Sequence, residues 1–248
     1  MNENKFFAAL MTALIVGTGS SVAAAAVVEP GTSGDSVNKS LSVASGTSVK
    51  DVETVNGSIE VDSGATANAV ETVNGSIKVA NDVAVDSLET VNGSIVAGSN
   101  LKVKGGVEAV NGRIQIAAGG SVDGSVETVN GKVSLDNVSV AHNVETVNGG
   151  LDLKASRIGG NVEMVNGRID LAAATVVAGD LIVSKNKSWG WNWGNKPKPP
   201  VVVIGEGSEV RGRILIENDQ TKLYVHQNAR IGEVVGVTAQ RFSAEAPE

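Results

Sequence analysis

One short motif returns along the chain at an almost constant interval. The stretch from Glu53 to Ile59, ETVNGSI, is the first of seven copies, and successive copies follow one another after about 18 residues. A Gly follows the Asn of each copy, and the seven are Asn56, Asn74, Asn92, Asn111, Asn130, Asn148 and Asn166. Short, regular repeats are typical of arrays in which each unit packs mainly against its two neighbours. The repeat therefore constrains the fold more strongly than any other feature.

The length of the repeat favours strands over helices. So short a unit has no room for a pair of helices. Residues expected to face inward alternate with outward polar residues, and in the first copy the inward ones are Val52, Thr54, Ile59 and Val61. At about 3.3 Å per residue, one unit traces a path of about 60 Å, which three short strands and three corners close into one coil. Coils stacked about 4.8 Å apart give an all-β fold. This fold is a single-stranded parallel β-solenoid (β-helix) with about 18 residues per coil, expected to be right-handed.

The Asn-Gly pair has a mechanical interpretation within such a coil. Gly tolerates a positive φ and Asn is common in turns, so the pair is expected to turn one corner of every coil. Asn side chains stacked in register can form a ladder of amide hydrogen bonds. We therefore interpret the seven Asn residues as a structural corner ladder.

The residues before each Asn predict the composition of one outer face. Thr54 is expected inside, because Ala109 and Met164 stand at its position in other copies, and Val55 is expected outside. The face would then carry Val55, Val73, Val91, Val110, Val129, Val147 and Val165 beside an exposed acidic ladder of Glu53, Glu71, Glu89, Glu108, Glu127, Glu145 and Glu163. Carboxylates about 4.8 Å apart repel one another unless a cation or a basic partner offsets the charge. We expect a solvated face that resists aggregation and assign no metal site to it, with cation recruitment as the alternative.

The first 26 residues have the pattern of an export signal. Lys5 precedes an apolar run at 6–16, and Ala24 and Ala26 supply the small residues before a cleavage site expected after Ala26. No second apolar stretch approaches the length of a membrane span, so no transmembrane span is expected in the mature chain. We expect a periplasmic or extracellular protein. Because the chain contains no cysteine, its stability must come from hydrogen bonding and packing.

The rest of the chain is expected to form one solenoid. A partial copy of the repeat at 36–43 places the beginning of the array near Gly31. The expected segments are an N-terminal linker at 27–30, the solenoid at 31–235 with an inserted loop at 185–200, and a polar C-terminal tail at 236–248.

Charge is distributed unevenly along the chain. The net charge of the chain is −7. Residues 27–100 contain ten acidic residues and three Lys, whereas residues 101–248 contain sixteen acidic and sixteen basic residues. An acidic surface cannot neutralise phosphates, so nucleic acid is not expected as a partner.

The inserted loop contains all of the tryptophans. Trp189, Trp191 and Trp193 alternate with Gly and Asn and are flanked by Lys residues. Aromatic rings beside cations and amides can stack on sugars, enter a lipid interface or anchor a protein partner. We take these three as candidate partner-binding residues; the alternative is that they fold back over the solenoid wall.

No catalytic or cofactor-binding residue is predicted. His142 and His226 lie far apart in the sequence and are each expected on the surface of their coil. The sequence contains no nucleophile elbow, zinc-protease motif or phosphate-binding loop. A column of identical Glu residues offers no difference in environment that would separate an acid from a base.

Two resemblances support a structural role. The recurrent VETVNGSI over about 34–176 resembles the adhesin-like β-solenoid domain of exported bacterial proteins. The later stretch from Ile204 to Ile214, IGEGSEVRGRI, is similar to coils of bactofilins, a polymer-forming bacterial cytoskeletal family. The second resemblance implies a β-helix without nucleotide that joins end to end in the cytoplasm. The export signal and the Trp loop depart from that pattern.

These observations lead to a functional hypothesis. We expect a non-enzymatic structural or adhesive protein of the bacterial cell envelope, a rigid rod that self-associates. Head-to-tail contact is expected because the N-terminal end is acidic, whereas Arg211, Arg213 and Arg230 lie near the other end. The alternative is a carbohydrate-binding module that uses the Trp loop and binds envelope glycan, and an enzyme acting on polysaccharide is a third, weaker hypothesis.

Overall fold

The computed structural model describes residues 25–185 and 198–244. Within these ranges the chain forms strands, turns and bends with no helix, and so no helix there could cross a membrane. The expected export signal lies outside the described residues except for its last two, Ala25 and Ala26. Trp189, Trp191 and Trp193 also lie outside them.

The strands are short and follow one another throughout both described ranges. The first range begins with β1 (Ala26–Val27), β2 (Gly34–Ser36), β3 (Leu41–Val43), β4 (Val52–Thr54), β5 (Ile59–Val61), β6 (Thr66–Thr72), β7 (Ile77–Val79), β8 (Ala84–Asn92) and β9 (Ile95–Ala97). It continues with β10 (Lys102–Val103), β11 (Val107–Asn111), β12 (Ile114–Ile116), β13 (Ser121–Val122), β14 (Val126–Asp136), β15 (Ser139–Val140), β16 (Val144–Lys154), β17 (Arg157–Ile158), β18 (Val162–Ala172), β19 (Val176–Val177) and β20 (Leu181–Val183). The second range contains β21 (Val201–Ile204), β22 (Glu209–Val210), β23 (Ile214–Ile216), β24 (Lys222–His226), β25 (Arg230–Ile231), β26 (Val234–Val235) and β27 (Gln240–Phe242).

Every strand pairs in parallel with the equivalent strand one coil away. Val52 of β4 pairs with Val70 of β6, and Ile59 of β5 pairs with Ile77 of β7, so that partners are one repeat apart in the sequence. About 11 turns stack in this way. The predicted β-solenoid is therefore confirmed.

One coil has three faces, each built from a stack of parallel strands. In the coil that begins at Val52, the first face is Val52–Thr54, the second is Ile59–Val61, and the third is formed by Thr66 and Ala67. The Asn-Gly corner lies between the first and second faces. The second corner follows residue 61, and the third corner joins the third face to the first face of the next coil.

The interior is a set of stacked aliphatic columns. Ile59, Ile77, Ile95 and Ile114 occupy one position on the second face, and each is fully buried. Alternation along each strand places polar residues outside, as expected for half-buried strands. Thr54 is 4% exposed, whereas Val55 is half-buried on the outer surface, so the predicted orientation of this pair is confirmed.

The coils extend beyond the expected bounds at both ends. In the segment expected to be a linker, Val28 is buried, and β1 already pairs with β3 from Ala26 onward. In the expected polar tail, β27 pairs with β24, and the Phe242 ring meets the His226 ring edge to face at 5.2 Å. The sequences of these two terminal segments do not match the repeat motif closely, but their apolar side chains still pack on the neighbouring coil.

One coil is interrupted at its Asn-Gly corner. β18 pairs with β20 through 162–164 and with β21 through 168–171. Strand pairing with β18 thus ends at Val183 and resumes at Val201, at the corner where the sequence predicted an insertion. Residues 186–197 lie outside the described residues.

Candidate functional site

A continuous ladder of amides runs along the Asn-Gly corner. In each coil the Asn Nδ2 donates to the Oδ1 of the Asn one coil earlier, from Asn56 to Asn38 at 2.9 Å through to Asn166 to Asn148 at 3.0 Å. The five intermediate bonds are 2.9 to 3.1 Å long. Interior members both donate and accept, so the ladder fixes the register of eight successive coils.

The Gly after each Asn has a different role from the one the sequence predicted. Only Gly167 of the seven has a positive φ, at 132°. At the other six, a Cβ would lie closer than 3.0 Å to the backbone of the preceding coil; at Gly131 it would meet the Gly112 carbonyl oxygen. The expected role of positive φ is therefore wrong, and Gly is required because the stacked backbones approach too closely for a side chain.

Buried threonines attach each coil to this corner. Thr72 Oγ1 donates to the carbonyl oxygen of Gly57 at 2.8 Å, and Thr128 Oγ1 donates to that of Gly112 at 3.0 Å. Thr54, Thr90 and Thr146 make equivalent bonds. Each hydroxyl is nearly inaccessible to water, so the bond satisfies a polar group that burial would otherwise penalise. Ala109 takes this position in one coil without such a bond.

Positive φ occurs at the second corner, which the analysis of the sequence missed. Its left-handed residues are Gly46, Gly64, Asp82, Asn100, Gly119, Asn137, Ala155, the pair Ala173 and Ala174, and Gly207. Most are Gly, Asn or Asp, the residue types that adopt this conformation at least cost. Their regular recurrence in successive coils is the signal that could have revealed the corner.

The Glu column stands in register on the first face. Glu53 pairs with Glu71, which pairs with Glu89, and the column continues through Glu108, Glu127, Glu145 and Glu163. All seven are half-buried rather than exposed, which corrects the prediction of an exposed ladder. The neighbouring side chains of the same face partly cover them. None of the salt bridges between described residues involves this column.

Burial favours the neutral form of six of these carboxyls, and repulsion by neighbouring carboxylates adds to the effect at five of the six. Burial raises the pKa of Glu71 to about 7, with further contributions from the charges of Glu89, Glu53 and Asp51. Burial likewise raises the pKa of Glu127 to about 7, and Glu145 and Glu108 add to the effect. The pKa values of Glu53, Glu89, Glu108 and Glu145 are also raised, chiefly by burial.

The two columns of the outer face exchange their character toward the C-terminal end. Glu163 is followed in its column by Ile182, then Leu215 and Val235. The Val column beside it ends at Val165, which is 9% exposed and the most buried of the seven. The column of Glu residues is therefore continued by aliphatic residues over the last coils, whereas the Val column is continued by Ser184 and Glu217.

Both ends of the described solenoid leave part of the core uncovered. Among the described residues, the apolar side chains that pack on the core while remaining partly exposed are Ala26, Ile231, Val234, Val237 and Ala239. The large apolar residues that are exposed are Val27, at 60%, and Val235, at 46%. All of them belong to the first or the last coil. The core residues that remain partly exposed are thus at the two ends of the rod.

The charges at the two ends differ in sign. In the first coil Glu29 and Asp35 outnumber Lys39, and in the last described coil Arg230 and Arg241 outnumber Glu233. Two of the basic residues expected to attract the acidic end already form salt bridges within the chain. Arg213 binds Asp180 at 3.1 Å and lowers the pKa of that carboxyl. Arg211 binds Glu209 at 3.3 Å. Arg230, the third of them, makes no salt bridge with the described chain.

A shallow groove crosses five coils on the third face. It has a volume of about 480 Å³ and a floor that includes Ala84. Five of its lining side chains make no hydrogen bond or ion pair with the described chain, namely Thr66, Asn68, Lys102, Ser121 and Asp123. At one edge Lys104 binds Asp86 at 2.7 Å. The groove thus offers free donors and acceptors of both charges.

The histidines do not form a site in the described residues. His142 is exposed, as predicted, but His226 is 6% exposed and packs against Phe242, so its predicted surface position is wrong. Within residues 25–185 and 198–244, no group of three or more His, Asp or Glu side chains is arranged to hold a metal ion.

Comparison of the chain with protein families, with curated proteins and with solved structures gives no match.

Proposed function

We propose that this chain is a non-enzymatic structural rod of the bacterial cell envelope that extends by stacking head to tail. The observation that carries the proposal is the location of the uncovered core. Ala26 and Val234 face the core at opposite ends of the solenoid and remain partly exposed, and each end also presents strands with one unpaired edge. Such edges join other edges unless they are covered.

The geometry of the two ends favours contact between opposite ends. Each terminal coil has strands on the same faces, with β1 and β27 both on the second face. A second copy that continues the stack would therefore meet a matching set of strands. A heterologous contact of this kind propagates into a filament and does not close as a dimer.

Charge supports the same orientation. Glu29 and Asp35 would meet Arg230 and Arg241 in a head-to-tail contact, whereas head-to-head contact would oppose acids to acids. The envelope location rests on the export signal expected at 1–26, and cleavage after Ala26 would begin the mature chain within β1. The resemblance to adhesin-like and bactofilin coils is consistent with a structural role.

The Glu column supports a role without catalysis. General acid and base pairs need carboxyls whose environments move their pKa values apart. Here burial and the charges of neighbouring Glu residues raise the pKa of both Glu71 and Glu127 to about 7.

Sedimentation velocity of the mature chain at rising protein concentration tests the proposal. We expect the mass to grow with concentration and the growth to weaken with salt, because salt screens the attraction between the ends. Val234→Asp should abolish the growth because Val234 is a partly exposed core residue of the last coil, whereas the control Gln115→Asp adds the same charge on the second face and should leave it unchanged. A monomer at every concentration and salt level contradicts the proposal.

Glycan binding is the second candidate function, and the groove on the third face favours it. Free hydroxyl, amide and charged side chains are suited to hydrogen bonding with the hydroxyl groups of sugars. A pull-down with insoluble envelope glycan would compare the wild type with two variants. Loss of binding in Asn68→Ala/Asp123→Ala would assign it to the groove, and loss in the triple alanine variant of Trp189, Trp191 and Trp193 would assign it to the inserted loop. Wild-type protein that remains in the supernatant contradicts this function.

A further inference from the structure

The Asn-Gly pairs of the ladder are sites of a well-defined spontaneous reaction. In a flexible chain the Gly nitrogen attacks the side-chain Cγ of the preceding Asn, because Gly has no Cβ to hinder the approach. A bond from the Gly nitrogen to Cγ forms, the bond from Cγ to Nδ2 breaks, and ammonia leaves with the proton of the Gly nitrogen. Water then opens the cyclic imide to Asp or to isoaspartate. The reaction needs a freely rotating Asn side chain and an accessible Gly nitrogen.

Interior members of the ladder have neither of these freedoms. Asn130 Nδ2 donates to Asn111 Oδ1 at 2.9 Å, and Asn130 Oδ1 accepts from Asn148 at 3.1 Å. Ring closure at Asn130 would break both bonds. In two coils the attacking nitrogen is also engaged, since Gly93 donates to the Asn111 carbonyl at 3.2 Å and Gly112 to the Asn130 carbonyl at 3.1 Å. The amide ladder therefore opposes the reaction at the step that forms the ring.

The last member of the ladder is held less tightly. Asn166 Nδ2 donates to Asn148 at 3.0 Å, but Asn166 Oδ1 accepts no hydrogen bond from the described chain. Gly167 is the only corner Gly with a positive φ, so the backbone there already departs from that of the other copies. On the C-terminal side, β20 pairs only as far as 164 and β21 begins to pair at 168. Neither strand pairs with Asn166 or Gly167.

We propose that the amide ladder protects its interior Asn-Gly pairs from deamidation, and that Asn166 is the modification site at which the folded chain is converted to Asp or isoaspartate. The other end of the ladder has no such site, because its first member, Asn38, precedes Lys39 and not Gly. Conversion of Asn166 to Asp removes the N–H that Asn148 Oδ1 accepts and adds one negative charge. The ladder then ends one coil earlier.

Peptide mapping by mass spectrometry tests the proposal on the full chain. Protein would be aged at mildly alkaline pH, folded in buffer or unfolded in urea, and then digested after Lys and Arg, which places Asn130, Asn148 and Asn166 on three different peptides. We expect Asn130 to deamidate at least about tenfold more slowly in the folded chain, because two hydrogen bonds must break. Asn166 should react about threefold or more faster than Asn130 in the folded chain, because only one must break. Equal rates at Asn130 in folded and unfolded protein, or equal rates at Asn130 and Asn166 in folded protein, would overturn the proposal.

A pair of variants separates the ladder from folding in general. Asn111→Ala removes the acceptor of Asn130 and should raise deamidation at Asn130 about threefold or more. Gln115→Ala changes an exposed residue of the same coil outside the ladder and should leave that rate unchanged. Melting transitions of both variants would establish that they are folded. A folded Asn111→Ala protein with the wild-type rate at Asn130 would show that the ladder does not protect.

Discussion

Thr128 and Gly112 lie in adjacent coils and are joined by a hydrogen bond of 3.0 Å from the Thr hydroxyl to the Gly carbonyl oxygen. The hydroxyl is inside the solenoid, where Thr128 is fully buried. Replacing Thr128 by Val keeps the shape of the side chain and removes the donor. We expect Thr128→Val to lower the free energy of unfolding by about 1 to 2 kcal/mol, measured by urea denaturation.

The matched control for this change is Thr66→Val. Thr66 is exposed on the third face, and its side chain makes no hydrogen bond to the described chain. Its replacement should alter the free energy of unfolding by less than about 0.5 kcal/mol. An equal effect at both positions would show that the buried bond contributes nothing.

The close approach of coils at the Asn-Gly corner predicts a large cost for any side chain there. Gly131→Ala would place a Cβ closer than 3.0 Å to the Gly112 carbonyl oxygen, whereas a Cβ at Gly150 would lie 3.4 Å from the Arg168 carbonyl oxygen. We expect Gly131→Ala to cost about 1 to 3 kcal/mol and Gly150→Ala much less. Thermal melting compares the two variants. Equal melting midpoints would show that the backbones of adjacent coils do not approach each other closely at Gly131.

The second corner contains a residue whose replacement should raise the stability of the protein. Ala155 is exposed and has a φ of 49°, a conformation that costs an L-residue about 1 to 2 kcal/mol. We expect Ala155→Gly to raise the free energy of unfolding by about 0.5 to 1 kcal/mol, because part of the gain is lost to the greater entropy of unfolded Gly. The control Ala141→Gly, at an exposed residue without positive φ, should lower it. A loss of stability at both positions would contradict this account of the corner.

The Glu column predicts a stability that decreases as the pH rises. Glu53, Glu71, Glu89, Glu108, Glu127 and Glu145 have raised pKa values in the folded protein, so folding favours their protonated form. Their contribution is complete below their ordinary pKa of 4.5 and is lost as the pH rises through about 7, the pKa of Glu71 and Glu127. We therefore expect a lower urea midpoint at pH 8 than at pH 5.

Neutral variants assign this pH dependence to the column. Glu127→Gln should stabilise the protein at pH 8 by on the order of 1 kcal/mol, once solvent screening is allowed for, and should flatten the dependence on pH. Glu60→Gln, at an exposed residue of the second face, serves as the control and should do neither. A wild-type dependence on pH in the Glu127 variant would exclude the column as its source.

The architecture could be predicted because so short a repeat with alternating polarity permits few other folds. The orientation of Thr54 and Val55 followed from the apolar Ala109 and Met164 at the position of Thr54. The role of the corner Gly could not be predicted in the same way. A Gly that adopts positive φ and a Gly that permits close contact are the same letter in the sequence, and only the stacked backbones distinguish them.

The environment of the Glu column also depended on three-dimensional packing. Alternation places Glu71 outside correctly, but its half-burial results from side chains in neighbouring columns and adjacent coils. The ends were misjudged for a related reason: Ala26 and Phe242 belong to coils without a close copy of the motif, and their pairing depends on the preceding or following coil. Sequence patterns indicate which way a residue faces better than how much of it is covered.

Electron microscopy of the purified mature chain tests the central claim most directly. About 11 turns at about 4.8 Å per turn give a single rod about 50 Å long. We predict particles of constant width whose lengths are multiples of about 50 Å and increase with protein concentration at low salt. Compact particles without a long axis, or rods that associate only side by side, would contradict the account.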